Sequence, residues 1–365
     1  LTFQKAYGLG YGIPDSFIAK KDYFGTDVAF VGDIDGNGYT DWAIGAPYHD
    51  PADRKAKDSG GVLVLFMGPN YTVLSYNWVH HGSGGVLDNL IKKDHFGTAV
   101  TGAGDINNDG IPDLLVGAPD DDDGFGQNNN RGKSKGAVYC ILLNADGSVQ
   151  DAFKYSSLTH PALQGLDNIG FFGYSLVSQG DLDKDGNPEF WASAPGTDLW
   201  GAGNRNKGGG YVLEIGPDGQ LTEVIEMTPN NPNGMDVSLL GNNDWCGVGY
   251  TVSLDLNGDG FADRIVSAHK ADSWQVSEKR SGEEGKLVVW FMDSTGKNII
   301  GQAQLGEANM ALDSLFRGDH FGTSIFVIGI DATTGMPILF VASPGYDGAG
   351  NHFHNTSGKS TSAIW

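Results

Sequence analysis

The sequence is poor in three features that would each indicate a particular class of protein. No apolar run approaches the roughly 18 residues that a membrane-spanning helix needs, so we predict no membrane insertion. Lysine and arginine number 23 against 45 aspartates and glutamates, and a formal charge of −22 argues against nucleic acid or an anionic membrane as partner. Stretches that favour helices are scarce, whereas 56 glycines suit tight turns between short strands.

Cysteine and metal-binding histidine patterns are scarce as well. The two cysteines, Cys140 and Cys246, lie in different predicted strands, where a small buried thiol is commoner than a disulfide. The nine histidines show no zinc spacing such as H-E-x-x-H. The compartment of the protein therefore has to be inferred from other features.

One stretch of the sequence recurs along the chain, and its first copy spans residues 24–47, FGTDVAFVGDIDGNGYTDWAIGAP. Two apolar, strand-like runs flank an acidic loop with the spacing D-x-[DN]-x-[DN]-G-x-x-[DE]. Positions one, three, five and nine carry side-chain oxygens, and the backbone carbonyl at position seven can add another. Calcium is bound by oxygen ligands arranged in this way, so the loop indicates a calcium site without the helices of an EF-hand.

Further copies begin at Phe96, Phe172, Cys246 and Phe321, so successive copies start 72 to 76 residues apart. A fixed period of this kind predicts a repeat architecture. Four copies keep the oxygen-bearing positions, which predicts four Ca²⁺ sites of structural rather than catalytic role. The predicted ligand positions are Asp33, Asp35, Asn37, Tyr39 and Asp41; Asp105, Asn107, Asp109, Ile111 and Asp113; Asp181, Asp183, Asp185, Asn187 and Glu189; and Asp255, Asn257, Asp259, Phe261 and Asp263.

The third and fifth copies differ from the others in their acidic positions. The third has four carboxylates among its ligand positions, so we expect it to bind its cation most tightly. The fifth has Ile330, Ala332, Thr334 and Ile338 at the corresponding positions, so we expect its strands to form without a cation site.

These copies resemble FG-GAP repeats, which form the blades of integrin α-subunit propellers and occur in many secreted proteins. The resemblance covers essentially the whole chain. It implies a β-propeller, with ligand recognition on the face opposite the calcium loops. Integrin propellers have seven blades of shorter repeat, whereas this chain has five longer copies.

Each copy continues into a third and a fourth apolar run, which predicts four antiparallel strands per blade. The predicted fold is all-β: a five-bladed β-propeller that forms a single domain over residues 1–365, with repeats starting near residues 24, 96, 172, 246 and 321. The fifth repeat ends after its third strand, so residues 1–23 are predicted to complete the last blade, with residues 2–7 as its outer strand. Ring closure of this kind removes two exposed sheet edges.

Long loops on the face opposite the calcium loops carry aromatic residues. Loops of this length in a compact domain are typical of binding sites or of disorder. We therefore name Tyr48, Trp200, Trp274 and Phe353 as candidate ligand-binding residues. The alternative for each is that it packs beneath its own loop.

The predicted function is binding. Four calcium sites fit a compartment that is rich in calcium, so we expect a secreted or cell-surface protein, either a monomer or a module of a larger chain. It would act in adhesion, with an extracellular protein or glycan as its ligand. A secreted hydrolase or lyase with a site among the long loops, and a purely structural spacer, are the alternatives; no catalytic set can be assembled from the sequence, which makes an enzyme the less favoured reading.

The sequence contains the adhesion tripeptide Arg-Gly-Asp at Arg317, Gly318 and Asp319. Asp319, however, lies two residues before its copy, as Asp22, Asp94 and Asp244 do before theirs. We therefore predict that Asp319 belongs to the repeat and bonds the turn that leads into it.

Overall fold

The computed structural model of the chain describes residues 18–19, 21–51, 56–122, 134–198, 206–229, 236–252, 255–271, 284–305, 319–330, 337–344 and 363–364. These residues form 19 strands and four short 3-10 segments. The strands are β1 (Val28–Gly32), β2 (Asp41–Ala46), β3 (Gly61–Gly68), β4 (Thr72–His80), β5 (Ala99–Gly104), β6 (Asp113–Ala118), β7 (Ala137–Leu143), β8 (Val149–Tyr155), β9 (Leu176–Gly180), β10 (Glu189–Ser193), β11 (Gly210–Ile215), β12 (Leu221–Met227), β13 (Cys246–Val252), β14 (Arg264–Ala268), β15 (Lys286–Met292), β16 (Ile299–Leu305), β17 (Ile325–Ile330), β18 (Pro337–Ser343) and β19 (Ala363–Ile364). The 3-10 segments are Pro69–Tyr71, Gly85–Asn89, Pro161–Leu163 and Val237–Leu239.

The strands form one sheet per repeat, each in chain order. The first four sheets have four strands (β1–β4, β5–β8, β9–β12 and β13–β16), and the described part of the fifth has three, β17–β19. The pairings with a resolved register are antiparallel, which is the arrangement that short turns between successive strands allow. The protein is therefore all-β with four-stranded antiparallel sheets. In the described residues, no helix is long and apolar enough to cross a membrane.

The chain divides into two compact units. The first comprises residues 1–180, 186–192 and 213–224, and the second comprises residues 181–185, 193–212 and 225–365. The third repeat therefore contributes residues to both units. Each unit is described separately below.

The core of the first unit lies between its first two sheets. Strand β3 is buried along its whole length, and its alternate side chains Val62, Val64 and Phe66 point into this core. They meet side chains of the second sheet that include Val116 and Tyr139. Because successive side chains of a strand point to opposite faces, Leu63 and its neighbours in register pack on the other side, in a separate cluster.

The second unit has a smaller core of the same construction. Ile265 and Val289 of the fourth sheet pack with Phe321, Ile325 and Val341 of the fifth repeat. Strands β14 and β15, which supply the first two of these residues, are almost wholly buried. The same arrangement of inner strands therefore recurs in both units.

Successive repeats are joined by a backbone hydrogen bond at the Phe-Gly pair. The amide of the pair's first residue donates to a carbonyl just before the third strand of the preceding repeat, and that first residue is at most 1% exposed. The four bonds are Phe96 to Ser59 (2.8 Å), Phe172 to Lys135 (2.9 Å), Cys246 to Lys207 (3.0 Å) and Phe321 to Glu284 (2.9 Å). The glycine that follows leaves no room for a side chain, since a Cβ on Gly97 would lie 2.4 Å from the Gly61 carbonyl oxygen.

The residue before each Phe-Gly pair has a left-handed backbone. Tyr23, His95, Phe171, Trp245 and His320 have φ between 52° and 54°, a region that residues other than glycine rarely adopt. Such a conformation costs about 1 kcal/mol or more and persists where the surroundings fix it. The inter-repeat hydrogen bond of the next residue supplies that constraint in the four later copies.

The structure confirms the predicted four strands in each of the first four repeats. The predicted third strand of the fifth repeat is seen at Ala363–Ile364, paired with β18. The strand predicted at residues 2–7, which would close the ring, lies outside the described residues. Cys140 and Cys246 are free and buried, as predicted, and burial raises the pKa of each thiol to about 12.

Candidate metal centres

The first acidic loop is folded by its own carboxylates. The amide of Asn37 donates to Asp33 Oδ1 at 2.9 Å, and the amide of Gly38 donates to Asp33 Oδ2 at 2.7 Å. The amide of Tyr39 donates to Asn37 Oδ1 at 2.8 Å. Asp and Asn side chains favour turns because they can bond nearby backbone amides in this way. Alternate side-chain oxygens are therefore held on the inside of the loop.

The same bonds recur in the other acidic loops. In the second loop, the amides of Asp109 and Gly110 donate to Asp105 at 3.0 Å and 2.8 Å. In the fourth, the amides of Asp259 and Gly260 donate to Asp255 at 3.0 Å and 2.7 Å. In the third, the amide of Asp185 donates to Asp181 at 3.1 Å and to Asp183 at 3.2 Å.

The carboxylate at position nine is the buried member of each loop. Asp41, Asp113 and Asp263 are fully buried and begin or precede the second strand of their sheets, as Glu189 does in the third repeat. One oxygen of Asp41 accepts the amide of Ile34 at 2.8 Å, and the other accepts the amide of Met67 at 2.8 Å. The closing residue thus ties the loop to the third strand, a role that the spacing of the acidic positions does not reveal.

The first loop meets the geometric requirement for a calcium ion. One carboxylate oxygen each from Asp33, Asp35 and Asp41 lie within 4.8 Å of one another. Oxygens bound at about 2.4 Å to a common ion can be at most about twice that distance apart, so the three fit one calcium. The donors are carboxylates and an amide, together with the backbone carbonyl at position seven, which is the donor set of a hard cation rather than of zinc.

The surroundings of the loop carboxylates raise the pKa of the buried ones and lower the pKa of an exposed one. Burial raises the pKa of Asp41, and the nearby Asp35 and Asp33 carboxylates add to the rise. Burial likewise raises the pKa of Asp113 to about 6. In contrast, a hydrogen bond from the Asn107 side chain lowers the pKa of the exposed Asp109. Bringing like charges together costs energy that a bound cation would offset.

In the third loop, a lysine from a different repeat reaches an acidic position. Lys297 Nζ lies 2.8 Å from Asp183 Oδ2, and this hydrogen-bonded ion pair lowers the pKa of Asp183. Lys297 belongs to the turn between β15 and β16, so sequence spacing gave no sign of this contact. In the fifth copy, residues 331–336, where the loop was expected without ligands, lie outside the described residues.

Of the four candidate ligand-binding aromatics, Tyr48 is the one within the described residues; Trp200, Trp274 and Phe353 lie outside them. Tyr48 is 38% exposed, and its ring centroid lies 4.7 Å from that of Tyr23 and 4.3 Å from that of His95. His95 Nδ1 lies 2.6 Å from Asp120 Oδ2. Burial raises the pKa of Tyr48, and the Asp120 carboxylate raises it further. Tyr23, Tyr48, His95 and Asp120 are called the aromatic–acid cluster below.

The sequence named one member of this cluster and missed the other three. Tyr23 and His95 hold the left-handed position before the Phe-Gly pair of their copies. Tyr48 and Asp120 each follow the Pro that ends a copy. An alignment of the copies could therefore have predicted that these four residues lie close together, since they occupy two equivalent positions in neighbouring repeats.

Three of the lead-in aspartates bond their turns in the way predicted for Asp319. Asp22, Asp94 and Asp244 accept the backbone amide of the residue three positions earlier, at 3.0 Å, 2.7 Å and 2.7 Å. Asp319 is 1% exposed and its carbonyl accepts a bond from Ser343 Oγ at 2.8 Å. Its burial in the repeat supports the structural interpretation over a recognition role.

A family model described as FG-GAP repeat matches residues 24–65 and 96–139, the first two copies. The chain therefore contains FG-GAP repeats at these two copies. The FG-GAP copies are similar to those of curated integrin α-subunits: integrin alpha-5 of Xenopus laevis is 28% identical over 264 residues, 71% of this chain and 21% of that protein. Integrin alpha-6 of Gallus gallus is 34% identical over 190 residues, 51% of this chain and 14% of that protein.

An enzyme is also among the relatives of this chain. Phosphatidylinositol-glycan-specific phospholipase D of Rattus norvegicus is 26% identical over 247 residues, 67% of this chain and 26% of that protein. The chain thus spans about a quarter or less of the length of the relatives it matches. Among solved structures, a levansucrase variant of B. megaterium aligns over 93% of the chain with a TM-score of 0.38 and 11% identity, which is too low to argue from.

Proposed function

We propose that this FG-GAP chain is an integrin-like, calcium-binding propeller that serves as an extracellular adhesion module. The observation that carries the proposal is the recurrence of one loop, in which acidic side chains bond the loop's own backbone and the closing carboxylate is fully buried. The first two of these copies match the FG-GAP repeat model. The relatives that are integrin subunits support a secreted or cell-surface location.

Each of the four acidic loops would hold one Ca²⁺ in this proposal. The ion would be bound by the side chains at positions one, three, five and nine and by the carbonyl at position seven. Its role is structural, because it would neutralise carboxylates that repel one another and join the loop to the second strand. Extracellular calcium is abundant enough to fill sites of millimolar-to-micromolar affinity.

The five sheets would form one closed ring over residues 1–365, with residues 1–23 completing the last blade. The support is the inter-repeat bond at the Phe-Gly pair, which recurs at Phe96, Phe172, Cys246 and Phe321. A closed ring would give Phe24 the same bond. Deletion of residues 1–7 should then lower the melting temperature by many degrees, whereas loss of an unpaired terminus would leave it unchanged.

Ligand recognition would use the long loops near the aromatic–acid cluster. The cluster presents the exposed rings of Tyr23 and Tyr48 to a ligand, next to the negatively charged Asp120 carboxylate. Aromatic faces with an adjacent carboxylate suit a basic side chain of a protein ligand, and they can also stack against a sugar ring. The partner would be an extracellular protein or glycan, bound by a monomer or by a larger chain that contains this module.

The experiment that tests the adhesion proposal is a binding screen of the whole chain against extracellular matrix proteins and a glycan array, with and without calcium. We expect binding that Tyr48→Ala weakens at least tenfold, while Leu158→Ala, at an exposed leucine outside the cluster, leaves it unchanged. A failure of both screens would favour a structural spacer instead.

The alternative of a secreted hydrolase or lyase has one observation in its favour. His95 Nδ1 bonds a carboxylate, and its buried Nε2 has no hydrogen-bond partner among the described residues, an arrangement found in general bases. The phospholipase relative gives a substrate class to try first. Hydrolysis of a glycosylated phosphatidylinositol that His95→Gln abolishes would favour the enzyme over the adhesion module.

A further inference from the structure

The third acidic loop has one more carboxylate at its ligand positions than each of the other loops. Its positions one, three, five and nine are Asp181, Asp183, Asp185 and Glu189, which makes four carboxylates, whereas each of the other three loops has three carboxylates and one asparagine there. Lys297 lies against this loop, with Nζ 2.8 Å from Asp183 Oδ2. Lys184, at position four of the same loop, is exposed, whereas Lys297 is paired with a ligand position.

We infer that Lys297 is a built-in counter-ion that lowers the cation affinity of the third loop. The inference rests on the proposed calcium function of the loops. It opposes the expectation, drawn from the count of carboxylates, that the third site binds most tightly. Lys297, which belongs to the fourth repeat, is thus an affinity-determining residue for the loop of the third repeat.

The lysine is positioned by the turn that carries it. The Asp293 carboxylate accepts the amides of Thr295 at 3.1 Å and of Lys297 at 3.3 Å, and the Asp293 amide donates to the Asn298 carbonyl at 2.9 Å. Neither side chain of the pair is freely solvated, since that of Lys297 is 14% exposed and that of Asp183 is 25% exposed. An ion pair held in this way is less weakened by solvent and entropy than one between two mobile surface side chains.

The turn also lies close to the acidic loop at Gly296. A methyl group on Gly296 would lie 3.3 Å from Leu182 Cδ1, and Leu182 stands between the first two acidic positions. The lysine and the loop therefore approach each other through packing as well as charge. Position three of the second loop has a neutral partner instead of a lysine. It is Asn107, whose side-chain amide donates to the neutral Gln150 side chain at 2.8 Å.

A fixed positive charge beside the loop should act in opposite directions on its two states. In the ion-free protein it neutralises one of four mutually repelling carboxylates, which stabilises the loop. Once a divalent cation is present, the lysine repels it and competes for the Asp183 carboxylate. Across a few ångströms at a solvated, salt-screened surface, the repulsion corresponds to an affinity loss of roughly threefold to tenfold.

The test is a calorimetric titration of the chelator-treated whole chain with Ca²⁺, for the wild type, Lys297→Gln and Lys297→Arg. We expect Lys297→Gln to tighten one of the sites roughly threefold to tenfold, and Lys297→Arg, which keeps the charge, to stay within about twofold of the wild type. The double variant Asp183→Asn, Lys297→Gln restores the formal charge and should return that site toward the wild-type affinity. Lys57→Gln is the control, since the side chain of Lys57 is 63% exposed and lies 3.7 Å from Asp58, outside the acidic loops.

The melting temperature with and without calcium provides a second test, and Lys297→Gln should change the two values in different ways. Without calcium, Lys297→Gln should melt below the wild type, and the rise in melting temperature on adding calcium should be larger than in the wild type. Unchanged affinities together with an unchanged calcium-induced rise would overturn the role of Lys297 and leave the calcium sites standing. If the wild type binds no calcium, the proposed function fails first and this inference with it.

Discussion

The carboxylate of Asp41 accepts the backbone amide of Met67, 26 residues further along the chain, at 2.8 Å. Its other oxygen accepts the amide of Ile34 at 2.8 Å. Asp113 bonds Leu143 and Ile106 in the same way, at 3.0 Å and 2.9 Å, and Asp263 bonds Met292 and Leu256 at 3.1 Å and 2.7 Å. The last acidic position of each of these loops therefore joins its loop to the third strand of the same sheet.

Substitutions in the first loop should separate these two roles. Asp41→Ala leaves two buried amides, of Ile34 and Met67, without an acceptor, so it should destabilise even the ion-free protein by about 2 to 4 kcal/mol. Asp35→Ala removes an exposed, proposed ligand and should change the ion-free stability by less than about 0.5 kcal/mol while abolishing calcium binding at that loop. Urea unfolding in excess chelator measures the ion-free stability of both variants. If Asp41→Ala lost no more stability than Asp35→Ala under these conditions, Asp41 would act only through the bound ion.

The Phe-Gly glycines offer a test of ring closure. Gly97 and Gly25 have similar left-handed φ values of 90° and 87°, but a Cβ would meet the Gly61 carbonyl only at Gly97; at Gly25 it meets no described atom within 4 Å. The left-handed alanine alone costs about 1 to 2 kcal/mol. If the fifth blade packs on the first as proposed, Gly25→Ala should destabilise the protein as much as Gly97→Ala, by about 3 kcal/mol or more. A loss of about 1 kcal/mol from Gly25→Ala would mean that the ring is open at this point.

Acid should destabilise the second unit through His269. Burial lowers the pKa of His269 from 6.5 to about 3, and the neighbouring Lys270 and His320 add to the drop. The unfolded chain therefore binds a proton between pH 6.5 and 3 that the folded chain does not, so stability falls as the pH falls through that window. Between pH 7.5 and 5 this group should cost about 2 kcal/mol.

The contribution of His269 can be isolated with His269→Gln. The variant should lose about 2 kcal/mol less than the wild type when urea unfolding is compared at pH 7.5 and pH 5. Because all other titrating groups are common to both proteins, their effects cancel in the difference. Parallel losses in the two proteins would show that His269 is protonated in the folded state at pH 5.

Calcium removal should lower the melting temperature. A ligand that binds only the folded state stabilises it by about 2.7 kcal/mol at a concentration one hundred times its dissociation constant. Thermal unfolding in excess chelator and in millimolar calcium should therefore differ by several degrees, and magnesium at the same concentration should restore less of the loss, since it demands a smaller octahedral site. Identical melting curves would rule out a structural role for the ion.

The parts of the fold that follow from local patterns were predictable from the sequence. The strands around Asp33 and its counterparts are marked by apolar alternation and by turn-forming Asp, Asn and Gly residues, and both signals are local. The cysteines could be assigned because a thiol in a strand interior has few alternatives. The fixed period of the copies then predicted one sheet per repeat.

The contacts that sequence reasoning missed all join residues that are distant along the chain. Lys297 meets Asp183, and His95 meets Asp120, through the packing of whole strands and turns rather than through spacing. The bonds of Asp41 to Met67 belong to the same class, since a motif shows which residues bear oxygen but not which amides they accept. The count of carboxylates in the third loop likewise does not include the Lys297 contact, so the ranking of that loop as the tightest stays a prediction.

The most direct measurement of the central claim is the number of calcium ions bound per chain, by calorimetry on the chelator-treated protein with a check by elemental analysis after desalting. The account predicts four, falling to three in Asp105→Ala and unchanged in Asp58→Ala, which lies outside the acidic loops. A stoichiometry of zero, with the chain still folded, would contradict it.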